Sequence, residues 1–179
     1  INNAGIAGPQ QPVEEIDVAS WQQTINTDLN SAFYVTRLVI PLMKAQRSGV
    51  ILNMSSSAGR TGCPLRSPYV AAKWAAIGLA QTWAMELGPW NIRVNALCPG
   101  SVGGERIDRV IVRDAKERGV EPEAIRTIYQ RQSSLRAFAS AEDIAAMVCF
   151  LVGPGGQMIS GQTIGIDGHT ETLANWLDP

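Results

Sequence analysis

The sequence predicts an α/β fold built on a parallel sheet, and three observations carry that expectation. Short apolar runs, "GVILNMS" at 49–55, "NIRVNAL" at 91–97 and "QTIGID" at 162–167, punctuate the chain. Between them lie segments with apolar residues at helical spacing, long enough to cross from one strand to the next in parallel. Composition agrees: 179 residues, 45% hydrophobic and 17% charged, describe one soluble globular domain with an ample core. No repeat, low-complexity tract or internal linker interrupts it.

Taken in order, Ile1-Asn2 reads as the last step of a strand running into a Gly/Pro loop, "AGIAGPQQP". From Asp17, the positions Trp21, Ile25, Leu29, Ala32, Phe33, Thr36, Ile40 and Met43 follow a helical period. Pro41 is expected to kink that helix or mark a locally irregular turn. "GVILNMS" is a buried strand. Ser67 then reads as an N-cap with Pro68 at the first helical position, opening a helix to about Leu87. That helix is apolar on most faces, so it is expected to be buried, in a core or against a partner subunit. "NIRVNAL" is the next strand, closed by Pro99-Gly100, and a long charged segment, read as helical, runs to about Phe138. Ser140 with Asp143 resembles a capping box, with Asp in place of the usual Glu or Gln, and opens a helix to about Val152. "QTIGID" is the last strand.

Several function classes are disfavoured. A net charge of -1 offers no basic excess for nucleic acid or an anionic membrane. No apolar run reaches the roughly 18 residues of a spanning helix. Cys63, Cys98 and Cys149 are odd in number and at no metal-ligand spacing, which points to reduced thiols and a cytoplasmic setting. With His169 the sole histidine, neither a Ser-His-Asp triad nor a multi-histidine metal site is favoured, and no metal is expected. The chain opens at Ile1 without a recognisable signal peptide, so an upstream segment is expected to be missing.

In parallel α/β sheets ligands bind beyond the carboxyl ends of the strands. Those ends deliver Asn3-Ala4-Gly5, Ser55-Ser56-Ser57 and Pro99-Gly100. The helix after the second strand carries Tyr69 and Lys73, four residues apart and therefore one above the other on a single face. Alone, such a pair is ordinary: a core aromatic and a lysine reaching for solvent. Beside a serine hydroxyl, and beside glycines that admit a flat ligand closely, it reads differently. A free tyrosine is too weakly acidic to be an efficient base near neutrality. A lysine cation about 5 Å away favours the phenolate by roughly 3 kcal/mol at an effective dielectric of about 20. A tyrosine so placed can pass a proton to or from an alcohol oxygen while a hydride moves at carbon. Ser56 can hold the same oxygen by hydrogen bond.

Five motifs in order carry a resemblance: "NNAG" at 2–5, "NMSS" at 53–56, "YVAAK" at 69–73, "IRVNALCPG" at 92–100 and "ISGQTIGIDG" at 159–168. Ser56 stands thirteen residues before Tyr69. The chain resembles the short-chain dehydrogenase/reductase family over essentially its whole length, beginning about halfway through the cofactor-binding half. The resemblance implies a Rossmann-type doubly wound parallel sheet, N-terminally truncated. Residues 1–179 would be the C-terminal portion of a single domain, with about 101–138 covering the substrate. It implies Tyr69 as general acid/base, Lys73 as its electrostatic aid and a ligand of the nicotinamide ribose, and Ser56 as the group that orients the substrate oxygen. Asn3, Ala4 and Gly5 are expected on the adenosine side of the cofactor, NAD or NADP. Val102, just after Pro99 and Gly100, is expected to present backbone to the nicotinamide carboxamide. The substrate implied is a small alcohol or ketone. The assembly implied is a homotetramer or homodimer paired through the helices at 21–43 and 68–87.

Departures from the family pattern qualify that reading. Its glycine-rich turn, and the residue that selects NAD or NADP, are absent, so the chain by itself is expected to bind dinucleotide poorly. Gly104 stands where the family has a threonine, and "DGH" replaces "DGG", leaving His169 at an expected surface or subunit contact. Asp28, seven residues after Trp21, stands where the family places its fourth catalytic residue, an asparagine. A part in the proton relay, within a few ångströms of Lys73, is the sharper expectation for Asp28; a plain position at a helix kink is the alternative. Arg106, Arg109, Arg113, Arg118, Arg126, Arg131 and Arg136 alternate with Asp108, Asp114, Glu117, Glu121 and Glu123, mostly as solvated helix faces with weak pairs. A substrate carboxylate clamped by one of these arginines stays open. A rival reading is a non-catalytic, degenerate member whose role is assembly. An enoyl reductase is disfavoured by a Tyr–Lys spacing of four where its family has seven. A sugar-nucleotide epimerase or dehydratase is disfavoured by "PG" after "IRVN".

Overall fold

A computed structural model describes residues 1–174, apart from the side chain of Glu117; the last five positions of the expected 1–179 domain lie outside the described residues. Three parallel strands, β1 (Gly49–Met54), β2 (Ile92–Pro99) and β3 (Thr163–Ile166), form the sheet in that order. Asn2 extends it along the free edge of β1. Its N–H donates to Leu52 O at 2.9 Å, and its carbonyl accepts from the Met54 N–H at 3.0 Å. Around the sheet run α1 (Val18–Ile25), α2 (Ser31–Gln46), α3 (Ser67–Leu87), α4 (Glu105–Arg118), α5 (Pro122–Arg131) and α6 (Ala141–Val152).

Strand side chains alternate between two cores, as their period of two requires. Ile51, Val94 and Ala96 pack against Ala80, Trp83 and Leu87 of α3 on one face. Leu52 and Leu97 pack against Leu151 of α6 on the other. Strands covered on both faces read as continuous apolar runs rather than alternating ones, and so they were recognisable. The arrangement is a Rossmann-like α/β sheet with helices on both sides. Among the described residues no helix is long and apolar enough to cross a membrane.

Two boundaries differ from expectation. The helix from Val18 is interrupted by a π-turn at Asn26–Asn30, while α2 continues through Pro41. Proline removes the hydrogen bond to the carbonyl four residues earlier. Both Pro41 and Arg37 are exposed, so water can take that carbonyl. Ser67 is the first residue of α3 rather than its cap; Arg66 holds the cap position with no side-chain capping bond, and Pro68 sits in the first turn. The Ser140–Asp143 capping box is present in full. The Asp143 N–H donates to Ser140 Oγ at 3.0 Å and the Ser140 N–H to Asp143 Oδ2 at 2.8 Å. These bonds hold the Asp143 carboxyl below its ordinary pKa.

The segment after β2 buries a core of its own. Ile107, Ile111, Ala115 and Ile125 form it, with Val120, Ile128 and Phe138 against them. The two ends of the segment are tied to each other. The Gly103 N–H donates to Ala139 O at 2.8 Å, and the Ala139 N–H to Ser101 O at 3.0 Å. Farther on, Ser134 and Leu135 donate their N–H groups to the His169 and Gly168 carbonyls, fixing the segment to the loop after β3.

The turn that leads from β1 toward α3 allows a sharp test of packing. A Cβ on Gly59 would lie 2.7 Å from the Lys73 carbonyl oxygen and closer still to Ser55 Oγ, while one on Gly62 would meet nothing within 4 Å. Gly59→Ala is expected to destabilise the fold by about 1–3 kcal/mol in chemical denaturation, through overpacking against backbone. Gly62→Ala should stay within about 0.5 kcal/mol of the parent.

Candidate active site

A cleft of about 560 Å³ opens at the carboxyl ends of β1 and β2. Lys73, on the second turn of α3, is buried at 5% exposure and donates from Nζ to the Met54 carbonyl at 3.1 Å, at the end of β1. Ser55, the next residue, donates from Oγ to the Lys73 carbonyl at 2.7 Å. Strand end and helix are thereby locked together from both sides.

A buried ammonium needs a counter-charge. Asp28 supplies it from the π-turn, with Oδ2 at 3.5 Å from Lys73 Nζ. Its other oxygen, Oδ1, accepts from the Ile6 N–H at 2.7 Å, and the side chain is fully buried. A π-turn widens the helix by one residue and re-aims the side chains on it, a device concentrated at functional sites. Here it carries the residue turned toward Lys73. Gly5 lies close by: a Cβ there would be 3.3 Å from Asp28 Oδ2 and 3.4 Å from Lys73 Nζ.

Tyr69 stands one turn before Lys73 and lines the cleft. Its ring lies between two cations, with Lys73 Nζ 5.4 Å and the Arg66 guanidinium carbon 4.9 Å from the ring centre. Ser56 lines the same cleft and caps the short 3-10 turn Ser57–Gly59, its Oγ accepting from the Ala58 N–H at 3.2 Å. Ser56, Tyr69, Lys73 and Asp28 therefore meet at one site. Asn3, Gly5, Pro99, Gly100 and Val102 line it as well. Ala4 does not: it is exposed and outside the lining, because successive residues of an extended loop face opposite ways.

Val102 has a distinctive backbone. The bridge to Ala139 is made by its two neighbours, Ser101 and Gly103, so its own N–H and carbonyl face the other way. Gly104 follows at φ 127°, a conformation that side chains rarely adopt, which accounts for glycine there. His169 lies outside the cleft lining at φ 64°, its Nδ1 hydrogen-bonded to Ser134 Oγ. Some acidic neighbours of the 101–138 arginines sit on solvated helix faces as expected, with Arg109 on Glu105 and Arg126 on Asp108 and Glu123, but Asp114 is buried and accepts from Arg118 Nε at 2.6 Å.

Arg66, Tyr129 and Cys63 are among the lining groups not anticipated from sequence. Arg66 lies three residues before Tyr69, a spacing that places both on one helix face and was readable. Tyr129 and Cys63 come from segments whose approach to the cleft no local pattern announces. Burial pushes the Cys63 thiol up in pKa, with Arg66 pulling the other way, so it remains a neutral lining group.

Residues 1–169 match a family model described as Enoyl-(Acyl carrier protein) reductase. D-beta-hydroxybutyrate dehydrogenase of Rhizobium meliloti (strain 1021) is 32% identical over 169 residues, 94% of this chain and 65% of its own length. The 3-oxoacyl-[acyl-carrier-protein] reductase FabG of Thermotoga maritima is 36% identical over 168 residues, 94% of this chain and 63% of its own. Among solved structures, NAD+-bound xylitol dehydrogenase superposes with a TM-score of 0.85 at 30% identity, covering 92% of this chain and 65% of that one. The chain thus spans just under two thirds of the length of these relatives. A match that runs through all three strands and both ends of the cleft makes the chain a member of the short-chain dehydrogenase/reductase family.

Proposed function

We propose that the chain carries the catalytic portion of an NAD- or NADP-dependent oxidoreductase that interconverts an alcohol and a carbonyl compound. The observation that supports this most is Tyr69, its ring beside the buried Lys73 cation in a cleft that Ser56 also lines. In this reading 1–179 is the C-terminal portion of one dinucleotide-binding domain, and about 101–138 covers the substrate.

The lining fits a nicotinamide dinucleotide. Gly5 leaves room against the Asp28–Lys73 pair that a side chain would fill. The N–H and carbonyl of Val102, unengaged among the described residues, complement the acceptor and donor of a carboxamide, with Pro99 and Gly100 beside them. Asn3 and Gly5 would hold the adenosine side, and Lys73 a ribose hydroxyl. When bound there, the dinucleotide supplies the acceptor or donor of hydride at the substrate carbon. The chain's own groups handle the oxygen. Tyr69 takes the alcohol proton, or returns it to the carbonyl, and Ser56 donates to the same oxygen and holds it in place. The Lys73 ammonium, 5.4 Å from the ring centre, sets a positive charge beside the phenol. Asp28 faces that ammonium at 3.5 Å and orients it.

The family model's description names an enoyl reductase, whose substrate is a carbon–carbon double bond. The four-residue spacing of Tyr69 and Lys73 favours the carbonyl reaction instead. Oxidation of secondary alcohols set against reduction of enoyl thioesters, both with full-length protein, separates the two.

A second copy of the chain is the proposed partner, in a homodimer or homotetramer. α2 exposes Phe33, Tyr34, Leu38 and Leu42, and α3 exposes Trp74 and Met85. Helices pairing through such faces about a two-fold axis would bury apolar surface on both copies.

Tyr69→Phe in the full-length protein is expected to leave dinucleotide affinity nearly intact while turnover falls by at least about 100-fold. Retention of more than about a tenth of the activity would remove Tyr69 from the acid/base role. Asp28→Asn removes the negative charge 3.5 Å from Lys73. The rising limb of the pH–rate profile for alcohol oxidation should then move to lower pH by about half a unit or more, because the phenolate is opposed less. A limb unmoved within about 0.2 units would return Asp28 to a purely structural part. Light scattering of the full-length protein at micromolar concentration should give a dimer or tetramer mass; a monomer mass would overturn the assembly.

A further inference from the structure

We propose that Arg66 is the anion anchor of the cleft and that the substrate is a small hydroxy acid, interconverted with its oxo acid. This rests on the dehydrogenase reading above and names its substrate class. Arg66 immediately precedes α3, and its guanidinium lies over the Tyr69 ring, 4.9 Å from carbon to ring centre. It lines the same cleft as Ser56, Tyr69 and Lys73. Among the described residues one hydrogen bond ties its side chain to the fold, Nη2 donating to the Ala7 carbonyl at 2.8 Å. Its Nε is buried and donates to no acceptor, and no carboxylate among the described residues pairs with it.

A guanidinium offers five donors in a planar fork that matches a carboxylate. The other cations of the cleft are placed differently: Lys73 faces Asp28, and Arg106 is exposed. Three cations (Arg66, Lys73, Arg106) and two acids (Asp28, Glu105) line the cleft, so its field favours an anion. Tyr129 of α5 lines it too, part-buried, with no hydrogen bond on its phenol among the described residues. Burial first, then Asp114, raises the Tyr129 pKa against the pull of Arg66, so its hydroxyl keeps the proton and can donate. Because the guanidinium stacks on the very ring whose oxygen takes the alcohol proton, acid and alcohol must sit on one small molecule a few carbons apart.

Arg66 also braces the loop that carries Ala7 through its Nη2 bond at 2.8 Å, next to the Gln11 N–H that donates to the Leu65 carbonyl at 3.0 Å. The test therefore separates substrate recognition from support. Full-length enzyme is assayed with matched 2-, 3- and 4-hydroxy acids and their methyl esters, with NAD or NADP. At least one acid is expected to exceed its ester in kcat/KM by about tenfold or more. Arg66→Gln should lower kcat/KM for that acid, mainly through KM, by at least about tenfold more than for its ester, the loss common to both reporting the cation beside the Tyr69 ring. Arg66→Lys should keep part of the preference, as a cation without the fork. Equal losses for acid and ester would mark Arg66 as a brace and overturn the proposal. So would a wild-type enzyme that oxidises esters or neutral alcohols but not acids, which leaves the dehydrogenase reading standing. An enzyme that oxidises neither acids nor neutral secondary alcohols fails that reading, and the proposal with it. Should Arg66→Gln not fold, inhibition of the wild type decides: butanoate should compete at least about tenfold more strongly than methyl butanoate, and equal inhibition overturns the proposal.

Discussion

The buried pair of Asp28 and Lys73 is the constraint on which the rest of the site depends. An ammonium at 5% exposure is tolerable only with a counter-charge and a hydrogen-bond acceptor, and each comes from a different part of the chain. The acceptor is the end of β1, through the Met54 carbonyl. The counter-charge is the π-turn between α1 and α2, through Asp28. Asp28 in turn takes the Ile6 N–H, which fixes the loop that follows Asn2. One charge pair thereby sets the relative positions of a strand end, an irregular turn, a loop and the helix that presents Tyr69. Gly5 answers to the same pair, since a Cβ there would press on it at 3.3 and 3.4 Å.

The ring of Tyr69 experiences two fields of the same sign but different character. Lys73 is held rigidly from below by its acid and its carbonyl, so its contribution is steady. Among the described residues the Arg66 side chain is held through one hydrogen bond, and it lines the cleft. In the proposed reading one cation prepares the phenol and the other selects its partner. Arg for Lys would not be equivalent at either place, because a fork and a point charge answer to different geometries.

Much of this was legible in the residues. Strands covered on both faces leave continuous apolar runs, and the Ser140–Asp143 box is a local contract between side chains and backbone that needs no tertiary context. The Tyr69–Lys73 pair follows from helical spacing alone. What could not be read was tertiary in origin. Nothing in "NTDLN" announces a π-turn, and the proline that does carry a helix-breaking signal sits where water can compensate it. Ser67 was displaced by one residue as a cap because proline is tolerated anywhere in the first turn, so it locates a helix start only approximately. Arg66 was readable in principle, three residues from Tyr69, but a residue just before a proline-opened helix looks like loop, and its stacking is set by the backbone of that boundary. Ala4 shares a loop with Asn3 and Gly5, yet alternation turns it outward.

The segment from Ser101 to Ala139 leaves the sheet and returns beside its point of departure, closed by two backbone hydrogen bonds around Val102, tied again at 133–136 to the loop after β3, and it encloses its own apolar core. A detour built this way is modular in the evolutionary sense. Its helices can lengthen, shorten or be exchanged, provided the two ends still meet and the tie to the loop after β3 is kept, without moving the strand ends or the helix that carries Tyr69 and Lys73. The detour and the helix of Tyr69 and Lys73 are thus inherited on separate stretches of the chain. A lineage can explore the first by trading detours while leaving the second untouched.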